Sequence, residues 1–163
     1  MTYEIITRTI DEQPTAVCRA DLPTAQVGPW LAEAYALVWQ HLQRLEVAAV
    51  GPPFARYTIE DDRMHVEAGF PVAYAVRAGA AVYAGSLPGG RVAVTTHLGR
   101  YEGLEDAYKA VVVWLAEHGY QQDGPHWEVY YTNPQDQPDT SQWRTDLFVP
   151  CVATESEATD GPS

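Results

Sequence analysis

The sequence GPPFARY at residues 51–57 returns late in the chain as GPHWEVY at residues 124–130. The two heptapeptides align without a gap and share Gly-Pro, an aromatic residue at the fourth place and Tyr at the seventh. Similarity of this kind inside one chain indicates a duplicated structural unit. The alternative is that two unrelated loops begin with similar residues. The segments around each copy distinguish duplication from this alternative.

Each copy follows a segment that predicts an amphipathic helix. Residues 27–46 and 104–118 repeat apolar side chains at intervals of three and four, and each segment bears a Trp. Pro29 suits a first helical turn, and Gly119 suits a helix end. Each half of the chain therefore places one helix before its copy of the repeat.

Segments with the composition and alternation of strands surround these helices. They lie at residues 3–10, 15–20, 54–59, 64–70, 81–87, 91–98, 127–132 and 143–149. The first two flank the break Glu12-Gln13-Pro14 and are expected to form a hairpin. The order strand, helix, strand, strand thus occurs twice, with extra strands between.

This order predicts an α+β fold built from tandem βαββ repeats with pseudo-twofold symmetry. We expect an antiparallel sheet curved around a central cleft, with the two main helices on the outer face. The cleft is the natural place for a ligand. Residues 1–152 form this single domain, and residues 153–163 are small, polar and acidic enough to predict a disordered tail.

Composition excludes several partners. The chain has 22 acidic and 10 basic residues, a net charge of −12, and its basic residues are scattered, so we expect no direct nucleic-acid binding. We see no signal sequence or long apolar run and expect a cytoplasmic protein without a membrane contact. Cys18 and Cys151 suit reduced thiols, and the dispersed His residues predict neither metal nor cofactor. The acidic field favours a cationic ligand, although solubility explains it equally well.

An ordered set of short segments resembles a known family. The segments are VEAGFPV at 66–72, LPGGR at 87–91, HLGRY at 97–101, WEVY at 127–130 and FVP at 148–150. Together they resemble the GyrI-like small-molecule-binding domain, the effector-binding domain of bacterial AraC- and MerR-type regulators, over residues 3–152. The resemblance implies a central cleft for bulky, flat, often cationic drugs, with Glu128 as its buried acid. We expect a stand-alone member, because the chain begins directly at its first strand.

Glu128 is also the leading candidate from the residues themselves. In a strand Glu128 and Tyr130 share one face, and Tyr57 is the repeat equivalent of Tyr130. If that face is buried, the carboxylate needs a partner or a function, and a cationic ligand beside aromatic rings supplies one. The alternative is a solvated or arginine-paired Glu128.

Further candidates are rings and titratable groups expected near the cleft. They are Tyr35, Trp39, Phe54, Glu67, His97, Tyr101 and Phe148. Tyr35 and Trp39 lie four apart on a helix, where aromatic residues also serve as core. His97 could instead cap a turn. Glu67 and Asp146 occupy matched places and could be pocket acids or surface groups.

Three functions fit these residues. The first is a stand-alone binding protein for hydrophobic, often cationic, aromatic small molecules. The second is a hydrolase of reactive, cyclopropane-containing natural products, with Glu128 as base or electrostatic stabiliser and Tyr130 as proton donor. The third is a gyrase-inhibitor-like module that binds a protein partner, and a homodimer is also open. Pocket residues alone do not separate binding from hydrolysis.

Overall fold

The computed structural model of the chain describes residues 3–79 and 81–154. These residues form nine strands and two helices: β1 (Ile6–Ile10), β2 (Gln13–Pro23), α1 (Val27–Leu45), β3 (Phe54–Glu60), β4 (Arg63–Pro71), β5 (Tyr83–Leu87), β6 (Gly90–Leu98), α2 (Leu104–Glu117), β7 (Tyr120–Gln122), β8 (His126–Tyr130) and β9 (Arg144–Ala153). Of the predicted acidic tail, residues 155–163 lie outside the described residues.

The described residues divide into two compact units. Unit 1 contains residues 3–10, 90–126 and 130–154, and unit 2 contains residues 11–79, 81–89 and 127–129. Strand β8 therefore contributes its two end residues to unit 1 and its three central residues, Glu128 among them, to unit 2.

In unit 2 four antiparallel strands lie in the order β3-β4-β2-β5, and α1 packs against β2 and β4. A row of small residues, Ala55, Ala68 and Cys18, lies in register across three strands. The Sγ of Cys18 lies 3.9 Å from the backbone oxygen of Ala34, so this row faces α1. Small side chains let the helix approach the strands closely. Residues next to this row, such as Arg19, therefore point to the face away from α1.

In unit 1 strands β1, β6 and β9 pair antiparallel in that order, and β7 pairs with the last residues of β9. Helix α2 packs on one face through a buried apolar cluster. The cluster contains Ala93, Ala107, Val111, Leu115, Leu147, Val149 and Cys151. Because side chains alternate along a strand, Asp146 and Phe148 point to the face away from α2.

The predicted duplication is confirmed by strand pairing within each unit. The first strand of each βαββ repeat pairs antiparallel with its last strand, β2 with β4 and β6 with β9. An extra strand borders the first strand in both cases, β5 on β2 and β1 on β6. The α+β class, the antiparallel strands and the two main helices are as predicted from the sequence.

Two local predictions differ from the structure. The expected opening hairpin is wrong, because β1 pairs with β6 whereas β2 pairs with β4 and β5. Both edges of β2 are thereby occupied, which suits its buried residues Thr15–Cys18. The three-residue strand β7 was not predicted, since its polar sequence YQQ has no strand pattern of its own and needs β9 beside it.

No described helix combines the length and the apolar character needed to cross a membrane.

Candidate functional site

Glu128 occupies the middle of β8 and is 9% exposed. Alternation along the strand places His126, Glu128 and Tyr130 on one face, and Trp127 and Val129 on the other. Trp127 is 2% exposed, so neither face of β8 is open to solvent here. The carboxylate thus lies in a strand whose nearest neighbours on the same face carry rings.

The ring before Glu128 on this face belongs to His126, which is 7% exposed. It stacks on Tyr108 of α2 with ring centroids 4.3 Å apart. Burial lowers the pKa of His126 to about 4, so the imidazole is neutral near neutral pH. The hydroxyl of Tyr108 donates to Oε1 of Gln122 at 2.7 Å, which fixes the ring. His126 and Tyr108 therefore form an uncharged aromatic pair near neutral pH.

The ring after Glu128 on this face belongs to Tyr130. It meets the ring of Tyr101 edge-on at 5.6 Å, and Tyr101 in turn lies 5.1 Å from the ring of Trp143. Burial raises the pKa of Tyr101, so its phenol stays protonated. The indole nitrogen of Trp143 donates to the backbone oxygen of Gln137 at 2.8 Å. The structure thus joins two predicted site residues, Tyr101 and Tyr130, into one aromatic cluster.

Trp143 is the member of this cluster that the sequence did not indicate. It directly precedes β9 and follows the polar loop 132–142. A large aromatic residue at the end of a polar loop was the available signal, but only the fold brings its ring to Tyr101.

In unit 2 Tyr35 and Trp39 of α1 share a ring neighbour, and Tyr35 also contacts the backbone of Phe54. The hydroxyl of Tyr35 donates to the backbone oxygen of Phe54 at 2.9 Å. Tyr35 and Trp39 both contact the ring of Phe70, at 5.9 and 5.5 Å. Trp39 is 48% exposed, so the rings on the helix extend to the surface, whereas the buried side chain of Phe54 points to the face of β3 away from α1. Tyr57, 7% exposed, shares the α1 side of β3 with Ala55.

His97 is held by hydrogen bonds on both ring nitrogens. Its Nε2 lies 2.8 Å from the backbone oxygen of Arg100, which can only accept, so Nε2 carries a proton. Its Nδ1 lies 3.0 Å from the hydroxyl of Tyr3. The ring is 4% exposed and lies against Gly103, where an added Cβ would sit 2.6 Å from Cε1. These contacts tie His97 to the turn after β6. Capping a turn is the alternative role that the sequence suggested for this residue.

The other candidates have partners of their own. Phe148 is 7% exposed, and the guanidinium of Arg8 lies 5.4 Å from its ring centroid. Glu67 accepts a hydrogen bond from Nε of Arg19 at 2.8 Å and lies 3.8 Å from Nη1 of Arg56. Within the described residues no group of three His, Cys, Asp or Glu side chains is arranged to hold a metal ion.

Comparison with protein families identifies the domain. The model of the family described as "GyrI-like small molecule binding domain" matches residues 1–152. None of the curated proteins compared with the chain matches it.

Several solved structures share the fold. The C-terminal domain of EcmrR superposes with a TM-score of 0.79 at 19% identity, covering 94% of this chain and all of that domain. In a complex of EcmrR with DNA the TM-score is 0.81 at 18% identity, but the match covers 93% of this chain and only 58% of EcmrR. SAV2435 bound to tetraphenylphosphonium matches with a TM-score of 0.61 at 11% identity, and the match covers 98% of both chains. A hydrolase from Listeria innocua matches with a TM-score of 0.61 at 12% identity, and the match covers 91% of this chain and 92% of the hydrolase.

Proposed function

Because the chain belongs to the GyrI-like small-molecule-binding domain family, we propose that it binds hydrophobic aromatic cations with Glu128 as their counter-ion. The observation that carries the proposal is the position of Glu128, 9% exposed at the centre of a strand face lined by His126 and Tyr130.

The electrostatics of this position favour a cation. A carboxylate removed from water attracts an opposite charge more strongly than one at the surface, because the surrounding dielectric is lower. The net charge of −12 adds a long-range attraction for cations. His126 does not oppose this attraction, since burial keeps it neutral.

The rings around Glu128 favour a flat, delocalised ligand. A cation over an aromatic face gains about 0.5–2 kcal/mol per contact, depending on desolvation. His126 and Tyr130, two residues before and two residues after Glu128 on β8, belong to the ring pairs His126–Tyr108 and Tyr130–Tyr101. SAV2435, which shares this fold, binds tetraphenylphosphonium, a hydrophobic cation without hydrogen-bond donors. Ring surface and a single charge are what such a ligand can use.

Sequestration of the ligand is the role these residues support best. The scattered basic residues and acidic net charge argue against direct DNA contact by this chain. The match covers only 58% of EcmrR, so EcmrR is about 1.7 times as long as the matching region, and its binding of DNA is not proposed for this protein. The buried free thiols of Cys18 and Cys151 fit a reducing cytoplasm.

The test is a titration with tetraphenylphosphonium by calorimetry, repeated with Glu128→Gln. We expect micromolar binding to the native protein and about 30-fold weaker binding to the variant, because a buried charge pair loses its partner. Triphenylphosphine oxide, a neutral ligand of related shape, should bind both proteins alike.

The matched control is Glu105→Gln. It removes the same charge from an ion pair with Lys109 whose carboxylate is 74% exposed. This variant should bind the cation like the native protein, because it changes the net charge but not the site. Equal weakening in both variants would reduce the role of Glu128 to a contribution to the overall field, and no binding to the native protein would refute the proposal.

A hydrolase is the second candidate, favoured by the placement of a carboxylate and a phenol on one strand face and by the Listeria innocua neighbour. Glu128 would act as base or stabilise developing positive charge, and Tyr130 would donate a proton to the departing atom. One carboxylate and one phenol suffice only for a strained substrate. Mass spectrometry of a cyclopropane-containing electrophile, incubated with native protein and Glu128→Gln, separates turnover from binding.

A further inference from the structure

A row of three charged side chains crosses the strands of unit 2. Arg19 on β2 and Arg56 on β3 both lie in register with Glu67 on β4. All three point to the sheet face away from α1, since Cys18, next to Arg19, contacts the helix. The row contains two positive charges and one negative charge, an excess of one cation in a protein with a net charge of −12.

The carboxylate satisfies only one of the two arginines. Oε2 of Glu67 accepts from Nε of Arg19 at 2.8 Å, whereas Oε1 is 3.8 Å from Nη1 of Arg56, beyond hydrogen-bond distance. Nη1 of Arg56 has one long hydrogen bond, 3.4 Å to the backbone oxygen of Ser86. In the described part of the chain, the buried Nε of Arg56 and Oε1 of Glu67 have no hydrogen-bond partner. A guanidinium normally donates to several acceptors at once, so Arg56 has donors to spare.

The two glycines beside the row are closely packed against the neighbouring strand β2. Gly69 and Gly85 share the row's face of the sheet, but a Cβ added at Gly69 would lie 1.8 Å from the backbone oxygen of Ala16, and one added at Gly85 would lie 2.8 Å from Oγ1 of Thr15. The Oγ1 of Thr15, which lies opposite Gly85, is a further buried polar atom without a partner among the described residues. A ligand therefore reaches the spare donors from solvent, where the arginine side chains are partly exposed, and not through space at the glycines.

An aromatic surface borders the arginines. The guanidinium of Arg19 lies 5.3 Å from the ring centroid of Tyr83, which is 46% exposed. The side chains of Arg19 and Arg56 are 49% and 24% exposed, so both can be approached from solvent. Planar guanidinium groups match carboxylates in geometry and charge.

From these features we propose that Arg56 and Arg19 form a second binding site, which takes the carboxylate of an aromatic acid with its ring against Tyr83. Glu67 stays bound to Arg19 and keeps the two guanidinium groups apart, and the ligand carboxylate accepts from their remaining N–H groups. The site is selective for anions, in contrast to the cation site proposed at Glu128.

The test follows the arginine Nε–H signals of the ¹⁵N-labelled full chain by NMR during a titration with benzoate at constant ionic strength. The signal of Arg56 is assigned by its loss in Arg56→Lys. We expect the signals of Arg56 and Arg19 to move and to saturate at benzoate concentrations on the order of 10 mM. Benzamide, of the same shape but neutral, should not move them.

Three variants complete the test. Arg19→Gln, at a half-exposed position, should weaken benzoate binding by about tenfold or more. Arg63→Gln, which removes another half-exposed arginine of the same strands, should leave it unchanged. Glu128→Gln should also leave it unchanged, which separates this site from the cation site. Absence of a saturable shift, an equal shift with benzamide, or an unaltered titration in Arg19→Gln would overturn the proposal.

Discussion

Asp146 in unit 1 and Glu67 in unit 2 are carboxylates at matched places in the two repeats, and both lie on the sheet face away from the helix of their unit. Asp146 is fully engaged, because it accepts from Nε and Nη2 of Arg144 at 3.1 and 3.0 Å and from the hydroxyl of Thr96 at 2.8 Å. Glu67 is shared between two arginines and bonds to one.

The difference shows that two copies of the same βαββ unit can arrange their charged side chains differently. In unit 1 the arginine is two residues from the carboxylate on the same strand, so pairing is local. The hydrogen bond to Asp146 is the main reason that the pKa of Arg144 is raised. In unit 2 both arginines come from neighbouring strands, and register decides their distance. The local arrangement stabilises the fold, whereas the arrangement across strands leaves donors available.

The largest expected difference between the units comes from replacing a closely packed glycine in one of them. A Cβ at Gly69 would lie 1.8 Å from the backbone oxygen of Ala16, so Gly69→Ala must push β2 and β4 apart. We expect unfolding free energy to fall by about 3 kcal/mol or more, measured by urea denaturation. Gly103→Ala in unit 1 meets the side chain of His97 rather than backbone and should cost less, about 2 kcal/mol.

Gly28→Ala is the control for both substitutions. Its added Cβ meets nothing within 4 Å, and alanine favours a helix, so stability should stay equal or rise by less than about 1 kcal/mol. A Gly69→Ala protein as stable as Gly28→Ala would show that the close approach of β2 and β4 is not required.

Acid should affect the two units differently, because it acts on unit 1 through protonation of His126. Burial lowers the pKa of His126 from 6.5 to about 4, so between these values the unfolded chain binds a proton that the folded chain does not. Stability is therefore complete above about pH 6.5 and falls by up to about 3 kcal/mol as the pH drops towards 4. Hydrogen exchange should show α2 and β8 losing protection before β2 and β4.

The variant His126→Phe keeps the ring next to Tyr108 and removes the titrating group. Its unfolding free energy should change less over the same pH range than that of the native protein. An identical pH dependence in the two proteins would mean that other groups cause the acid sensitivity.

The smallest expected effect compares the two carboxylates directly. Asp146→Ala removes three hydrogen bonds from a group that is 5% exposed and should lower the unfolding free energy by about 2 kcal/mol. Glu67→Ala removes one hydrogen bond, to the half-exposed Arg19. We therefore expect it to lower the unfolding free energy by about 1 kcal/mol or less. Thermal denaturation of both variants measures the difference. Equal losses would show that the two carboxylates serve the same structural role.

Much of the fold was predictable because its signals are local. The spacing of apolar residues placed the helices at 27–46 and 104–118, within one residue of their observed ends. Most strands followed from alternation and from the turns between them. The opening hairpin was predicted wrongly because pairing partners depend on segments far along the chain, and β7 was missed because only β9 makes its residues a strand.

The candidate site was predictable in part. Strand alternation predicts only that Glu128 and Tyr130 share a face, and the family resemblance singled out Glu128 as the acid of the site; Glu128 is 9% exposed. The ring contacts of Tyr130 with Tyr101, and of Tyr101 with Trp143, join residues more than ten positions apart and required the fold. The binding role of these residues stays a prediction for the titrations above.

By itself the sequence determined which segments are helices and strands, the twofold repetition of βαββ and the position of Glu128, because these depend on patterns a few residues long. Tertiary structure alone decided which side chains meet. The row of Arg19, Glu67 and Arg56 exists because strand register aligns residues 19, 67 and 56, and a shift of one residue in any pairing would turn one of them to the opposite face.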